Sequence, residues 1–126
     1  YALVEKELGI ESLKLGYIPG NMEFSDVLVG DGVVYISFLY KDDLVYLIES
    51  KYEKGVSYKF NSDSTIEEEC IVHNKWLRKD LVLMKELFED GRIAYDVVVI
   101  LDGAFYRLLG NVDKDIFQKM VEGLSF

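Results

Sequence analysis

Cys70 and His73 are the first residues to consider for chemistry, because the chain contains one cysteine and one histidine. A thiol and an imidazole can form a nucleophile and base pair or ligate a soft metal ion. In a strand, however, positions three apart point to opposite faces of the sheet. We therefore expect no catalytic pair: Cys70 is predicted to be a small core residue beside Ile66 and Val72, and His73 a surface or turn residue.

Carboxylates are a second source of chemistry, since the sequence holds 23 Asp and Glu residues. Neither the run Glu67-Glu68-Glu69 nor the pair Asp42-Asp43 follows the alternating, glycine-bearing spacing of a calcium loop. The segment Asn61-Ser62-Asp63-Ser64 comes closest, but it lacks the glycine and the distal glutamate. The three glutamates are better explained as a solvated strand face that guards a sheet edge. No metal site is predicted.

Two acids that face each other across a cleft would permit glycoside hydrolysis, and a small hydrolase with paired carboxylates is kept as one alternative. Nucleotide chemistry is disfavoured, because Gly30-Asp31-Gly32 is too short for a phosphate loop and no Gly-Lys-Ser or Gly-Lys-Thr follows a glycine cluster. No catalytic residue and no cofactor are predicted. We therefore expect a protein that is not an enzyme.

Aromatic residues suggest binding instead. Nine tyrosines exceed what a core of this size needs, because a buried phenol must find a hydrogen-bond partner. One interpretation makes them amphipathic residues at the rim of a sheet. The other places them on a surface for a partner or ligand, where Tyr and Trp are enriched. The five residues predicted to contribute to this surface are Tyr46, Tyr52, Tyr58, Phe60 and Trp76.

These side chains must be positioned by an antiparallel sheet, because apolar residues alternate with period two from Met22 onward. Short turns rich in Gly, Asp and Lys separate the apolar runs, as in β-hairpins. The Asp-Gly pair at 102–103 is the strongest of these signals. Strands are predicted at 22–29, 33–40, 44–51, 66–72, 80–87, 92–101 and 104–109, and the polar segment 52–65 is predicted to be the longest loop.

The segment 113–123 is predicted to be an amphipathic helix, capped by Asp113 and ended by Gly123. Its apolar stripe would cover one face of the sheet. The predicted fold is α+β: a curved, mainly antiparallel sheet of about six or seven strands, with the C-terminal helix packed on one face. Residues 1–15 are predicted to be a lead-in segment, either with a short N-terminal helix or as an ordered stretch without one, and residues 16–126 a single domain. The predicted core includes Val34, Ile36, Phe38, Leu47, Val98, Ile100, Phe117 and Val121.

Length and charge narrow the functional classes. A chain of 126 residues fits one domain. Its 14 basic and 23 acidic residues give a net charge of −9, which disfavours binding to nucleic acid or to an anionic membrane surface. No apolar run approaches the roughly 20 residues that span a bilayer. Because the sequence starts at Tyr1 without a leader, we expect a piece of a longer product whose missing N-terminal part can hold an anchor.

Two stretches resemble a known bacterial family, the domain of unknown function numbered 4367. Gly16-Tyr17-Ile18-Pro19-Gly20-Asn21-Met22 resembles its opening G-Y-x-P-x-G turn, with the spacing one residue shorter. The stretch at 104–115, AFYRLLGNVDKD, resembles its junction between the last strand and the helix. The resemblance covers about residues 16 to 126, while 67–86 follow no pattern of the family and their strand register is not predicted.

The resemblance implies an extracytoplasmic domain of an anchored protein, similar to anti-sigma factors and carrier-type lipoproteins, and implies no catalytic residues. We therefore expect a non-catalytic sensory or protein-interaction domain whose partner is a protein, a peptide or a small envelope ligand. An acidic immunity-type inhibitor that neutralises a basic toxin is the alternative that the net charge permits.

Overall fold

The computed structural model describes residues 8–41, 43–51, 64–101 and 103–126, and these residues fold as α+β. Alternating apolar residues form strands, and glycine, aspartate and lysine form the tight turns between them, as the sequence predicts. The elements in chain order are β1 (Lys14–Leu15), β2 (Met22–Gly30), β3 (Val33–Tyr40), β4 (Asp43–Lys51), β5 (Ser64–Asn74), β6 (Lys79–Phe88), β7 (Ile93–Leu101), β8 (Ala104–Gly110), α1 (Lys114–Glu122) and β9 (Leu124–Ser125).

Strands β2 to β8 form a curved, antiparallel sheet of seven strands in the order β2-β3-β4-β8-β7-β6-β5. The predicted α+β class with its C-terminal helix is confirmed. Each edge strand carries a bulge, between Phe24 and Asp26 in β2 and between Glu68 and Cys70 in β5. Bulges and exposed charges hinder the pairing of an edge with another sheet. Glu67 and Glu68 lie exposed on the β5 edge, as predicted, whereas Glu69 is half-buried and its Oε1 lies 2.9 Å from Nζ of Lys114.

The core lies between one face of the sheet and α1, whose contacts run to β5 and β7. Phe117, Met120 and Val121 of the helix are fully buried, and the Phe117 ring lies 5.9 Å from the ring of Tyr95 in β7. The helix therefore covers the part of the sheet that contains β5, β6 and β7. The opposite side of the sheet is called the second face below.

Two predicted core residues, Val98 and Ile100, lie on the second face, so that prediction is wrong for them. They are 41% and 42% exposed, whereas Val97 and Val99 are 0% and 2% exposed. The run 97–101 is apolar on both faces, so alternation alone cannot decide which set is buried. The pairing of Val97 with Leu108 decides it. The other predicted core residues are buried: Val34, Ile36, Phe38, Leu47, Phe117 and Val121.

The N-terminal end of α1 differs from the prediction, whereas Gly123 ends the helix as predicted. The Asp113 carboxylate does not cap the helix, because it lies 3.4 Å from the Lys41 ammonium instead. Gly123 ends the helix with φ −92°, an ordinary value for any residue. A close approach explains the glycine, since a Cβ atom there would lie 2.9 Å from the backbone nitrogen of Tyr17.

Residues 8–15 pack against the same core. Leu13 and Leu15 are 1% and 7% exposed, and β1 pairs with β9. The short helix predicted in the lead-in segment falls mainly on residues 1–7, outside the described part of the chain. Among the described residues, no helix has the length and apolar character needed to cross a membrane.

Candidate functional site

A cleft opens in the sheet between β6 and β7. Among the described residues, these strands pair with each other only from Met84 to Leu87 and from Ile93 to Asp96. Residues 79–83 of β6 still pair with β5, and residues 97–101 of β7 still pair with β8. Because alternate N–H and C=O groups of a strand point to each side, both strands direct backbone groups into the cleft.

The cleft has a volume of about 500 Å³ and is lined mainly by aliphatic side chains. Val82, Val98 and Ile100 line it on the second face and are 39%, 41% and 42% exposed. Leu81 and Val99 also line it but are almost fully buried in the core beneath. Apolar side chains beside open backbone edges form a surface on which another polypeptide can add.

The closed end of the cleft is held by a buried ion cluster. Asp96, in the last pair of the β6–β7 ladder, accepts hydrogen bonds from Nε of Arg107 at 2.9 Å to each oxygen and a further one from Nη2. Glu86 Oε2 lies 3.8 Å from the same Nη2. The three side chains, named the Arg107 cluster here, are at most 6% exposed. Since they come from three strands, they hold β6, β7 and β8 together where the cleft begins.

Burial raises the pKa of the Asp96 carboxyl above its ordinary value. Hydrogen bonds from Arg107 and its positive charge oppose this rise, whereas the nearby charge of Glu86 adds to it. A buried carboxylate depends on its guanidinium partner, because a charge left alone in the interior is strongly destabilising. The cluster is therefore expected to keep one arrangement.

The open end of the cleft lies beside the turn at 75–78, since Lys79 follows that turn and lines the cleft. Asn74 fixes the turn. Its Nδ2 donates to the carbonyls of Val121 and Leu124 at 2.7 and 3.0 Å, and its Oδ1 accepts from the N–H of Leu77 at 2.8 Å. Because Asn74 is 0% exposed, these bonds anchor the turn to the C-terminal end of α1.

The turn is basic although the protein is acidic. Lys75, Arg78 and Lys79 lie exposed within five residues, while the whole chain carries a net charge of −9. The neighbouring carboxylate of Asp80 is paired with His73, whose Nδ1 lies 2.8 Å from its Oδ1. Asp80 itself lines the cleft, so three basic side chains and one acidic side chain lie at or beside this end.

Two of the five predicted surface aromatics lie in the described residues. Trp76 is 63% exposed in the turn at the open end of the cleft, and the Lys75 ammonium lies 5.0 Å from its ring centroid. Tyr46 is half-buried in β4, which pairs with neither β5 nor β6. Whether the five residues form one surface stays a prediction, because the other three lie outside the described residues: Tyr52, Tyr58 and Phe60.

Cys70 and His73 point to opposite faces of β5, as their spacing predicts. Cys70 packs against the core and His73 is exposed. The prediction that Cys70 lies beside Ile66 is wrong, because the bulge before Cys70 reverses the alternation and leaves Ile66 42% exposed. Within the described ranges, no group of three or more His, Cys, Asp or Glu side chains is placed to hold a metal ion.

In the part of the chain that the structure describes, Glu86 and Asp96 are two buried acids that lie near each other and form a candidate carboxylate pair. Both contact Arg107, and their side chains are 3% and 6% exposed. A retaining or inverting glycosidase needs its two carboxyl groups on either side of the scissile bond. In this arrangement the Arg107 guanidinium lies between the two acids and contacts both of them.

Glu49 is a separate buried acid, on the core face of β4. Its carboxylate accepts from the Leu13 N–H at 2.5 Å and from the Ser12 hydroxyl at 3.2 Å, which ties the lead-in segment to the sheet. It is 0% exposed. Burial raises its pKa to about 7, and the two hydrogen bonds oppose that rise.

The prediction from sequence missed the cleft and the Arg107 cluster, although one signal for the cluster was present. The Asp-Gly pair at 102–103 predicts a tight hairpin, which sets the register of the two strands that flank it. In that register Asp96 and Arg107 lie diagonally on the same face, where opposite charges attract. Nothing in the local sequence indicates that β6 and β7 separate beyond Met84.

Comparison of the chain with family models, curated proteins and solved structures found no match. The resemblance to the bacterial family numbered 4367 therefore depends on the motifs at 16–22 and 104–115 and stays a prediction.

Proposed function

We propose that this chain is a non-catalytic protein-interaction domain that binds a segment of a partner in the cleft between β6 and β7. The observation that carries the proposal is the end of the β6–β7 ladder at the pair Met84 and Asp96, beyond which two backbone edges face an apolar cleft. Strand edges bind extended polypeptide through main-chain hydrogen bonds, and side chains beside the edge select the sequence.

The ends of the cleft support the same function. The Arg107 cluster holds the closed end, and Asn74 anchors the turn at the open end to α1. A site whose walls are held before binding loses less conformational entropy when the partner arrives. Such a cleft is suited to selective binding of one class of peptide segment.

We also propose that the domain lies outside the cytoplasmic membrane, as part of a longer anchored protein with a sensory role. This part is supported by the resemblance of the motifs at 16–22 and 104–115 to the family numbered 4367. The alternative, an immunity-type inhibitor of a basic toxin, is less well supported at this site. A basic partner would meet Lys75, Arg78 and Lys79 at the open end of the cleft.

Selection from a displayed library of random peptides tests the proposal. The native domain is compared with a variant that places charge in the cleft, Val98→Asp with Ile100→Asp. The matched control is Phe24→Asp with Leu28→Asp, because those side chains are 63% and 64% exposed on the β2 edge, away from the cleft. Circular dichroism verifies that all three proteins fold.

We expect the native domain and the β2 control to enrich a common peptide sequence, and the cleft variant to lose it. Equal enrichment by all three proteins, or loss in the β2 control alone, would place binding elsewhere and overturn the proposal. Failure of the native domain to enrich any peptide would also overturn it. If the cleft variant does not fold, Val98→Thr with Ile100→Thr replaces it, since it removes apolar surface without adding charge.

A further inference from the structure

The structure also indicates what kind of segment the cleft accepts. We infer that the occupant is an extended, apolar peptide segment with an acidic side chain at the end that lies beside Trp76. This inference rests on the proposed function and specifies the chemistry of the partner. The juxtaposition that carries it is an apolar cleft with open strand edges that ends at a turn containing Lys75, Arg78 and Lys79.

The backbone of the cleft determines the conformation and length of the occupant. Five residues of each strand, 79–83 and 97–101, lie beyond the β6–β7 ladder. At about 3.3 Å per residue, this stretch is about 16 Å long and matches an extended segment of about five residues. A helix could not use the open backbone groups, because its own N–H and C=O groups are already paired. The occupant is therefore a strand.

The residues that line the cleft determine which side chains the bound segment carries. Val82, Val98 and Ile100 present aliphatic surface on the second face of the sheet, where each is about two-fifths exposed. An extended segment places alternate side chains on that face, next to these three residues. Burying aliphatic surface there is favourable only if the incoming side chains are themselves apolar. We expect β-branched or other aliphatic residues at every second position.

The charged residues near the open end of the cleft determine which side chain is favoured at that end of the bound segment. Lys79 lines the open end and Lys75 and Arg78 lie in the turn just before it, and in the described residues Arg78 and Lys79 form no ion pair. Asp80 also lines this end, and its Oδ1 lies 2.8 Å from Nδ1 of His73, so three basic side chains face one acidic side chain here. An acidic side chain of the partner is thus attracted to this end. The exposed ring of Trp76 offers apolar contact beside it.

Titration of defined peptides tests the inference, because Trp76 is the single tryptophan and lies in the turn before Lys79, which lines the open end of the cleft. The probes are two peptides blocked at both ends, Glu-Val-Thr-Val-Thr-Val and Val-Thr-Val-Thr-Val-Glu. Two peptides with lysine in place of glutamate test charge, and two with proline at the central position test strand addition. Blocked ends ensure that the carboxylate comes from the side chain.

We expect at least one glutamate peptide to bind with a shift of the Trp76 emission, and its lysine counterpart to bind about fivefold more weakly, the most that an exposed ion pair contributes. The variant Lys75→Glu with Lys79→Glu should reverse that preference. Proline should abolish binding, because it removes a main-chain donor. Salt should reduce the difference between the glutamate and lysine peptides.

Equal affinity for the glutamate and lysine peptides would overturn the inference about charge, and tolerance of proline would overturn strand addition. Either result is compatible with the proposed function if the cleft variant still loses the peptides selected from the library. No binding of any probe, while the library peptides bind, would overturn the inference alone. Concentration-dependent self-association that the cleft variant abolishes would identify a second copy of the chain as the occupant and overturn it as well.

Discussion

Replacement of Glu49 by glutamine is expected to change the pH dependence of folding stability. The Glu49 side chain is 0% exposed on the core face of β4, between the neighbouring strands β3 and β8. Burial raises its pKa to about 7, against an ordinary value of 4.5. The uncharged form of a buried carboxyl is favoured, because removing a charge from water is costly.

The size of the effect follows from that difference. A change of one pKa unit corresponds to about 1.4 kcal/mol, so a rise from 4.5 to about 7 corresponds to about 3 kcal/mol. The folded state binds the proton more tightly than the unfolded state. The contribution to stability is therefore fully present below pH 4.5 and is lost as the pH rises through about 7. At pH 8 the native protein should be about 3 kcal/mol less stable than at pH 4.5 through this group.

Urea unfolding followed by circular dichroism at intervals between pH 5 and pH 8 measures the effect. Glu49→Gln keeps an acceptor for the Leu13 N–H and removes the titration. The variant should resemble the native protein at pH 5 and exceed its free energy of unfolding by up to about 3 kcal/mol at pH 8.

The matched control is Glu68→Gln, which removes the same charge from an exposed position on β5. It should leave the pH dependence almost unchanged. If Glu49→Gln unfolds with the same pH dependence as the native protein, Glu49 does not titrate in this range. The account of its burial would then be wrong.

Three further predictions concern packing and the ion cluster. Gly16→Ala should lower the free energy of unfolding by about 2 kcal/mol or more, because the added Cβ would clash with the backbone carbonyl oxygen of Gly123, whereas Gly20→Ala has open space and should lower it far less. Asp96→Ala should lower the free energy of unfolding by about 3 to 5 kcal/mol, since it leaves the buried guanidinium without its closest partner. A clearly smaller loss in chemical denaturation would contradict this prediction. Val99→Ala should lower the free energy of unfolding by about 2 kcal/mol and Val98→Ala by less than about 1 kcal/mol. If thermal melts show the reverse order, Val99 is not the residue of β7 that faces the core.

Much of the fold could be predicted from the sequence, because its local signals agree with one another. Period-two alternation located the strands, and the Asp-Gly pair and the glycine turns located the hairpins. The amphipathic stripe located α1. The failures occurred where the local pattern was ambiguous: Val98 and Ile100 lie in a run that is apolar on both faces, and only pairing with β8 decides which residues are buried.

The candidate site was harder to predict, since it depends on contacts between residues that are distant in sequence. Trp76 was predicted to be a surface residue and is exposed at the end of the cleft. Asn74 gives no sign in sequence that its amide binds the end of α1, almost fifty residues away. The bulge at Glu69 is likewise not encoded by a glycine, so Ile66 could not be placed on the correct face.

Amide hydrogen exchange measured residue by residue by NMR tests the central claim, that the β6–β7 cleft is an open strand edge that binds an extended segment. In the free domain, we expect alternate amides in 79–83 and 97–101 to exchange faster than those in the ladder that starts at Met84 and ends at Leu87. Addition of the tighter glutamate peptide should slow those amides and leave the ladder unchanged. Amides of the cleft that are already protected in the free domain, or that stay unprotected in the complex, would contradict the account.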